Sequence, residues 1–514
     1  MPNTACILSI DQGTTGTTAL LVDVQGNIIA QGYQEFTQHY PQPGWVEHDP
    51  EEIWNATLQA IDALFAQENA LNIVAIGIAN QRETTIVWDR KTGKPIYPAI
   101  VWQCRRTADR CVRLEKQGVA EEIQAKTGLV LDAYFSGTKV AWILDHVNGA
   151  RERAERGELA FGTVDTWLLW KLTDGAVHKT DYTNASRTLL FNINTLSWDE
   201  TLLKILNVPK AILPEVCPSA SNFGTASFYR NFWFETFGKN ISLDGIPITG
   251  IAGDQQAALF GQLCLKPGMA KNTYGTGCFL MLNTGTEKVS TKTGLLTTLA
   301  CSLDETPVYA LEGSVFVAGA AVQWLRDGIS IVESASETEE MAARIPDAGG
   351  VVVVPAFTGL GAPYWDPDAR GAILGLTRGS TRDQIVRATL ESIAYQSADV
   401  VVAMSTDAGM TLDQLRVDGG AAANNFLMQF QADILGMTVE RPAQIESTGL
   451  GATYLAGITA GVWRDIEELE VNRSAQAKRE GSAFKARRFS PQIDATQRNE
   501  KLAQWKKAVQ RVMS

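Results

Sequence analysis

Apolar residues recur along the chain in short runs that end at small or polar residues, a pattern typical of buried strands followed by turns or helices. The first three runs cover residues 6–10, 19–24 and 28–30. Residues 25–27, which read QGN, separate the last two runs and have the composition of a hairpin turn. The pattern therefore predicts that the chain begins with antiparallel strands.

The turn between the first two runs covers residues 11–16 and reads DQGTTG. Glycines allow backbone N–H groups to approach an anion closely, and threonine hydroxyls add donors, so the turn suits nucleotide phosphates. Asp11 stands at a strand end, where it could hold Mg²⁺ through water, because magnesium prefers oxygen ligands and keeps part of its hydration. An ordinary hairpin explains the same residues equally well.

Polar residues also follow the next buried strand, which the pattern predicts at residues 73–78. Arg82 and Glu83 come shortly after it, and functional groups of α/β proteins gather at strand ends. A solvated surface ion pair is the alternative interpretation.

Before this strand, residues 49–52 read DPEE and predict a helix start, with Asp49 as the N-cap.

The segment 250–261, GIAGDQQAALFG, predicts a strand, a tight turn and a helix with Asp254 at the helix start. Helix capping alone explains an Asp there. A functional role is favoured because a second Thr- and Gly-rich turn follows at residues 272–277. Two such hairpins in separate halves suggest a duplicated nucleotide-binding unit. Near the end of the chain, residues 415–424 predict a strand that leads into a glycine-rich helix start, where free N–H groups can meet a ligand.

Composition narrows the classes of partner. The 514 residues exceed one ordinary core, so two domains are expected. A net charge of −12 argues against nucleic acids and anionic membranes, which favour basic surfaces. The seven cysteines are never spaced as Cys-x-x-Cys, and only four histidines accompany them, so a disulfide framework or zinc site is not expected. Without a signal sequence or membrane-spanning run, a cytoplasmic location is expected.

Long motifs then identify a resemblance that covers essentially the whole chain. They include PGWVEHDP, NQRETTIVW, AIVWQCRRT, YFSGTKV, FGTVDTWL, TDYTNASRT, GIAGDQQAALFGQ, KNTYGTGCF, PAFTGLGAPYWDP and RVDGGAAANNFLMQFQADILG. In these motifs the sequence resembles the FGGY family of carbohydrate kinases. The resemblance implies an α/β fold of two ribonuclease H-like (actin-like ATPase) domains with the active site in the cleft between them. The predicted domains cover residues 1–251 and 252–514, with Asp254 in the second.

The resemblance also implies a reaction, namely ATP-dependent phosphorylation of glycerol to sn-glycerol 3-phosphate with Mg²⁺. A primary hydroxyl is a poor nucleophile at neutral pH, so a carboxylate that accepts its proton helps, and Asp254 is the candidate general base. The implied glycerol-binding residues are Arg82, Glu83, Trp102, Tyr134, Asp254, Gln255 and Phe279. The implied nucleotide-binding residues are Thr14, Thr15, Gly16, Thr276, Gly319, Gln323, Gly420 and Asn424. Asp11 and Asp254 are the candidate metal ligands, and a homodimer or homotetramer is expected.

Two departures from the family pattern stand out. Gly16, Thr17 and Thr18 stand where Ser-Ser-Arg is common, which removes a cation that could approach the phosphates. Where some bacterial members bind fructose 1,6-bisphosphate, this chain has an aromatic segment at 222–245, so little inhibition by that compound is expected. Two other functions remain open: a kinase of the same fold acting on another polyol or sugar, and an actin-like or chaperone-like ATPase without an acceptor.

Overall fold

The computed structural model describes residues 5–67, 72–227, 242–366, 368–479 and 486–513, and for 473–479 the backbone alone. The chain forms two compact units. The first contains Met1–Gly261, Thr298–Val308 and Ser447–Glu480, and the second contains Gln262–Thr297, Tyr309–Glu446 and Gly481–Ser514. In the described ranges, no helix is both long enough and apolar enough to cross a bilayer.

The secondary structure alternates between strands and helices in chain order. The strands are β1 (Ala5–Gln12), β2 (Gly16–Asp23), β3 (Ile28–Glu35), β4 (Glu47–His48), β5 (Asn72–Asn80), β6 (Ile86–Asp89), β7 (Ala99–Ile100), β8 (Leu159–Gly162), β9 (Lys179–Asp181), β10 (Phe191–Asn192), β11 (Ser197–Trp198), β12 (Glu215–Cys217), β13 (Ala220–Thr225), β14 (Pro247–Gly253), β15 (Ala270–Tyr274), β16 (Cys278–Gly285), β17 (Leu296–Leu299), β18 (Tyr309–Val315), β19 (Val352–Val354), β20 (Ala372–Leu374), β21 (Gln414–Asp418), β22 (Thr438–Arg441) and β23 (Arg487–Phe489). The α-helices are α1 (Pro50–Phe65), α2 (Ala108–Lys116), α3 (Ala120–Thr127), α4 (Ser136–His146), α5 (Ala150–Glu155), α6 (Val164–Leu172), α7 (Tyr182–Ala185), α8 (Glu200–Leu206), α9 (Asp254–Gly261), α10 (Gly319–Gln323), α11 (Glu337–Ala343), α12 (Arg382–Ala408), α13 (Asn425–Leu435), α14 (Ser447–Thr459), α15 (Ile466–Arg479) and α16 (Ala495–Gln510).

The first unit is built on a mixed sheet with the strand order β13-β14-β5-β1-β2-β3. The predicted opening strands are present as the antiparallel strands β1, β2 and β3. The strands β1, β5 and β14 run parallel to one another, so their carboxyl ends meet at one edge of the sheet. At that edge Gln12 and Gly253 both pair with Asn80, on its two sides. Ligands of α/β sheets bind at this kind of edge.

Two helices that are distant in sequence cover this sheet. Helix α1 packs against β2 and β3, and the Asp49 side chain caps it by accepting a hydrogen bond from Glu51 N, as predicted. Helix α14 packs against β1, β5 and β14. Its backbone lies so close that a Cβ added to Gly77 would be 2.3 Å from the carbonyl oxygen of Ala452. A Cβ on Gly451 of α14 would likewise be 1.9 Å from the carbonyl oxygen of Ala257 in α9. Only glycine, whose side chain is a hydrogen atom, allows the two backbones to come this close.

The structure divides the chain differently from the predicted boundary between residues 251 and 252. Strand β14 is paired with β5 inside the first sheet, and α9 continues directly from it and packs on α14. Asp254 therefore belongs to the first unit, as do residues 298–308 and α14. Most of the aromatic segment 222–245, including Arg230 and Lys239, lies outside the described residues.

The second unit repeats the strand arrangement of the first. Its sheet has the order β17-β18-β16-β15-β21-β22-β23. Strands β15, β21 and β22 are parallel, β16 and β18 continue the sheet antiparallel on one side, and β23 adds an antiparallel edge on the other. Apart from β17, the strands of this sheet, from β18 to β23, correspond in order and direction to β3-β2-β1-β5-β14-β13 of the first sheet. The topology therefore supports the predicted duplication. Helix α12 begins with a capping box formed by Thr381 and Gln384.

Candidate active site

The centre of the candidate site is an ion pair at the carboxyl edge of the first sheet. The Arg82 side chain, 2% exposed, places Nε 3.2 Å from Oδ1 of Asp254, whose side chain is 28% exposed. The backbone N–H of Gln255 also donates to Oδ1, at 2.7 Å. The other oxygen, Oδ2, accepts one long hydrogen bond of 3.3 Å from Gln255 Nε2. The carboxylate is thus oriented through Oδ1, while Oδ2 can accept a proton from a bound molecule.

Gly253 provides the space for this ion pair. A Cβ at this position would lie 2.7 Å from both Cγ and Cδ of Arg82 and 3.1 Å from Oε1 of Gln256. Gln256 in turn accepts a hydrogen bond of 3.2 Å from an Arg82 terminal nitrogen, Nη1. The glycine before Asp254 therefore lets the guanidinium group reach both partners.

A buried carboxylate fixes the backbone just before Asp254. The Thr183 hydroxyl donates to Asp181, at 2.7 Å from Oδ2, and accepts from the Gly253 N–H at 2.8 Å. Ser219 donates a further hydrogen bond of 2.7 Å to Asp181. Burial raises the pKa of the Asp181 carboxyl group, and the hydrogen bonds that it accepts oppose this change. Asp181 and Thr183 belong to the TDYTNASRT motif, but our sequence prediction gave them no role.

Glu83 is held in a left-handed backbone conformation, with φ of 59°. This conformation costs a non-glycine residue about 1–2 kcal/mol. Its carboxylate is 1% exposed and accepts a hydrogen bond of 2.6 Å from Nε of the fully buried Arg187. Its backbone carbonyl oxygen accepts hydrogen bonds from Thr85, Ser136 and Lys139. The sequence prediction identified Glu83 but missed Arg187 and Lys139.

The predicted pocket wall and the predicted phosphate turn are in direct contact. The indole Nε1–H of Trp102 donates to Oγ1 of Thr14 at 2.9 Å. The Trp102 and Tyr134 rings meet edge to face, with centroids 5.6 Å apart. In the turn, Thr15 is exposed, whereas Gly16 is buried against Tyr33, whose hydroxyl would be 2.6 Å from an added Cβ. Gly16 thus allows Tyr33 to pack closely against the hairpin.

The remaining predicted residues lie in the second unit, where Thr276 and Gly319 meet at the β15–β16 turn. The Gly319 N–H donates to the Gly275 carbonyl at 3.0 Å, beside the exposed Thr276. Gln323 is exposed at the end of α10, Phe279 is half-buried on β16, and a Cβ on Gly420 would meet no atom within 4 Å. The Asn424 side chain caps α13 through Leu427 N, at 2.9 Å. The predicted helix start is thus a 3₁₀ turn, Gly420–Ala423, followed by α13.

The two candidate metal ligands lie at the same sheet edge. Asp11 pairs with Ala79, which also pairs with Ala252, two residues before Asp254. In the described part of the chain, no three His, Cys, Asp or Glu side chains come together as a metal cluster. Two carboxylates at one edge fit a Mg²⁺ that keeps waters and binds phosphate oxygens, rather than one enclosed by protein ligands.

Comparison with known proteins identifies the class of protein. Residues 6–261 match the N-terminal domain of the FGGY family of carbohydrate kinases, and residues 270–460 match its C-terminal domain. The chain belongs to this family and is a kinase. Its fold of two α/β units is confirmed by solved structures of the family.

Individual relatives are similar over almost the whole chain. The glycerol kinase of Carboxydothermus hydrogenoformans is 57% identical over 507 residues, which cover 98% of this chain and 97% of that protein. The crystal structure of Plasmodium falciparum glycerol kinase with ADP is 37% identical, with a TM-score of 0.90 and coverage of 100% of this chain and 99% of that chain. A ligand-bound xylulose kinase from Lactobacillus acidophilus shares the fold, with a TM-score of 0.83, 22% identity, and coverage of 98% of this chain and 96% of that chain.

Proposed function

We propose that this kinase transfers the γ-phosphoryl group of ATP to glycerol, forming sn-glycerol 3-phosphate and ADP. The observation that carries the proposal is the orientation of the Asp254 carboxylate. Arg82 and Gln255 N hold its Oδ1, which leaves Oδ2 able to accept a proton. The names of the similar proteins support glycerol as the acceptor. Sequence identity above one half over nearly the full length makes a different acceptor class the weaker hypothesis.

In the proposed reaction, Oδ2 of Asp254 accepts the proton of the primary hydroxyl as that oxygen attacks the γ-phosphorus. The new P–O bond forms while the bond from phosphorus to the ADP oxygen breaks. ADP is the leaving group, and the hydroxyl proton is left on Asp254. Phosphoryl transfer depends mainly on positioning and on neutralisation of phosphate charge. Bound Mg²⁺, held through Asp11 and Asp254, would supply part of that neutralisation.

Glycerol is a small neutral molecule, so its recognition depends on hydrogen bonds to hydroxyl groups and contact with its carbon edge. We assign the hydroxyl contacts to Arg82, Glu83, Tyr134 and Gln255, and the carbon edge to Trp102 and Phe279. A site with buried polar groups rejects analogues that lack the matching hydroxyl, because those groups are then left unpaired. The nucleotide would contact the predicted positions 14–16, 276, 319, 323, 420 and 424.

The test is a polyol panel in which ATP turnover and phosphorylated product are both measured. We expect glycerol to give the highest kcat/KM of the panel. ATP turnover without a polyol should be at least about 100-fold slower than with glycerol, because no positioned acceptor is then present. A preference for xylulose, gluconate or erythritol would identify the other kinase class. Turnover that no polyol stimulates would indicate the ATPase class instead.

Substitution of Gly253 tests the space around Arg82. The Gly253→Ala variant is expected to lower kcat/KM for glycerol about 10- to 100-fold, because the added methyl group displaces Arg82 and a shift of about 1 Å in a reacting group has effects of this size. Steady-state kinetics measure the change. Gly379→Ala is the matched control, because a Cβ there would meet only Thr377 Oγ1, at 3.8 Å. Equal kinetics of the two variants would show that the Arg82 position is not critical.

A further inference from the structure

We infer that Lys139 is a positioning residue of the acceptor site, because its single ammonium group holds the backbones of two acceptor-contacting residues, Glu83 and Tyr134. The inference rests on the proposed function, which makes those two residues part of the polyol pocket.

The geometry is specific. Lys139 lies on α4, and its side chain is completely buried. Its Nζ donates to the Tyr134 carbonyl oxygen at 2.7 Å and to the Glu83 carbonyl oxygen at 3.2 Å. Tyr134 is near the start of α4, whereas Glu83 follows β5. One side chain therefore joins the two segments that present the pocket's hydroxyl group and carboxylate.

Glu83 requires such support because its φ of 59° is unfavourable for a side-chain-bearing residue. Ser136 Oγ, at 3.0 Å, and Thr85 Oγ1, at 3.1 Å, donate to the same carbonyl oxygen. Three donors on one carbonyl oxygen fix the peptide that directly follows Glu83. The Glu83 carboxylate is fixed separately by Arg187, so the backbone and the side chain have independent supports.

Simple space filling does not account for a charged group here. Taking an ammonium group out of water costs several kcal/mol, and apolar side chains of similar volume often replace buried ions without loss of stability. The benefit that the structure shows is directional: two carbonyl groups are aligned by one cation. The expected consequence of its removal is therefore weaker acceptor binding rather than loss of the fold.

The charge of Lys139 responds to pH near neutrality. Burial lowers the pKa of Lys139 to about 7, while Glu83 and, less strongly, Cys104 and Asp132 raise it and Arg105 lowers it. The ammonium form is complete below this pKa and is lost as the pH rises through it. A neutral amine holds the two carbonyl groups less strongly, so the KM for glycerol is expected to increase between about pH 6 and pH 8.

The test compares wild type with Lys139→Met and with the control Lys171→Met across that pH range. Lys171 is a partly buried lysine of the same unit, paired with Glu51 at 3.0 Å, and contacts no predicted acceptor residue. For Lys139→Met we expect the KM for glycerol to increase about 10-fold or more, which corresponds to loss of one to two charge-assisted hydrogen bonds. The kcat and the KM for ATP should stay within about two-fold, and the dependence of the glycerol KM on pH should disappear.

Each outcome has a separate meaning. An unchanged glycerol KM in Lys139→Met, or an equal loss in kcat and both KM values, would overturn the inference. If that variant does not fold, Lys139→Gln, which keeps an uncharged donor, is measured in the same way, and a glycerol KM equal to that of wild type contradicts the inference. Wild-type turnover of glycerol in the same assay tests the proposed function separately. If another polyol is the acceptor, the comparison is made with that polyol, and an absence of any phosphorylated polyol removes both proposals.

Discussion

Replacement of Asp254 by Asn is expected to lower kcat for glycerol about 100-fold or more, the usual cost of removing a general base. The amide preserves the size of the side chain and can still accept from Gln255 N through its oxygen. It cannot take up the hydroxyl proton, and it loses the ionic contact with Arg82 at 3.2 Å. The effect should therefore appear in the chemical step, with the KM for ATP near that of wild type.

The measurement is steady-state production of glycerol phosphate, with ATP turnover recorded with and without glycerol. Asp145→Asn is the matched control in the same unit, because Asp145 is a partly exposed carboxylate that pairs with Arg110 at 2.9 Å. A kcat within about threefold of wild type for Asp254→Asn would exclude the general-base role, given the minimum effect expected for such a group.

The Arg187→Met substitution is expected to destabilise the first unit by about 3 kcal/mol, because it removes the nearest cation of the buried Glu83 carboxylate. The remaining guanidinium, that of Arg82, places Nε 3.9 Å from Glu83 Oε1. The Arg187 and Glu83 side chains are 0% and 1% exposed, and their atoms Nε and Oε1 are 2.6 Å apart. Arg187 also stacks over Tyr134 and Phe135, with its guanidinium carbon 5.7 and 5.2 Å from the ring centroids. Loss of these contacts adds to the destabilisation.

Thermal and urea unfolding of the purified variants would measure this loss. The partly exposed pair Arg110–Asp145 provides the control, since Arg110→Met should cost no more than about 1 kcal/mol. The double variant Glu83→Gln with Arg187→Met should recover part of the stability, because it removes a buried negative charge that has lost its nearest cation. Similar stability of Arg187→Met and Arg110→Met would contradict the proposed importance of the buried pair.

Local sequence patterns predicted the elements that depend on short-range chemistry. The strands β1 to β3, the Asp49 cap of α1, and the turns at residues 11–16 and 272–277 were predicted from turn and capping residues. The sheet edge was partly predictable as well, because Arg82 and Asp254 each follow a run of apolar residues. The acceptor and nucleotide assignments beyond them came from the family resemblance and stay predictions.

The supporting residues were not predictable in this way. Nothing local to Lys139, Asp181 or Arg187 indicates that a charged side chain will be buried, because burial depends on segments distant in sequence. Glu83 gives no local signal of its positive φ, and two of the three donors to its carbonyl oxygen, Ser136 and Lys139, are 53 and 56 residues away in the sequence. The two structural units differ from the predicted division for the same reason: the periodicity of α14 does not reveal which sheet it covers.

The place of α14 in the chain also affects how the protein is made. Domains usually fold from the N-terminus as the ribosome extends the chain at about 5–20 residues per second. Here the strands of the first sheet precede the second unit in the chain, but the helix that covers Gly77 and Gly250, Ser447–Thr459, follows residues 309–446 of that unit. The apolar face of β1, β5 and β14 therefore stays uncovered by this helix while most of the second unit is synthesised. A nascent chain that stops before Ser447 would present that face to chaperones and proteases.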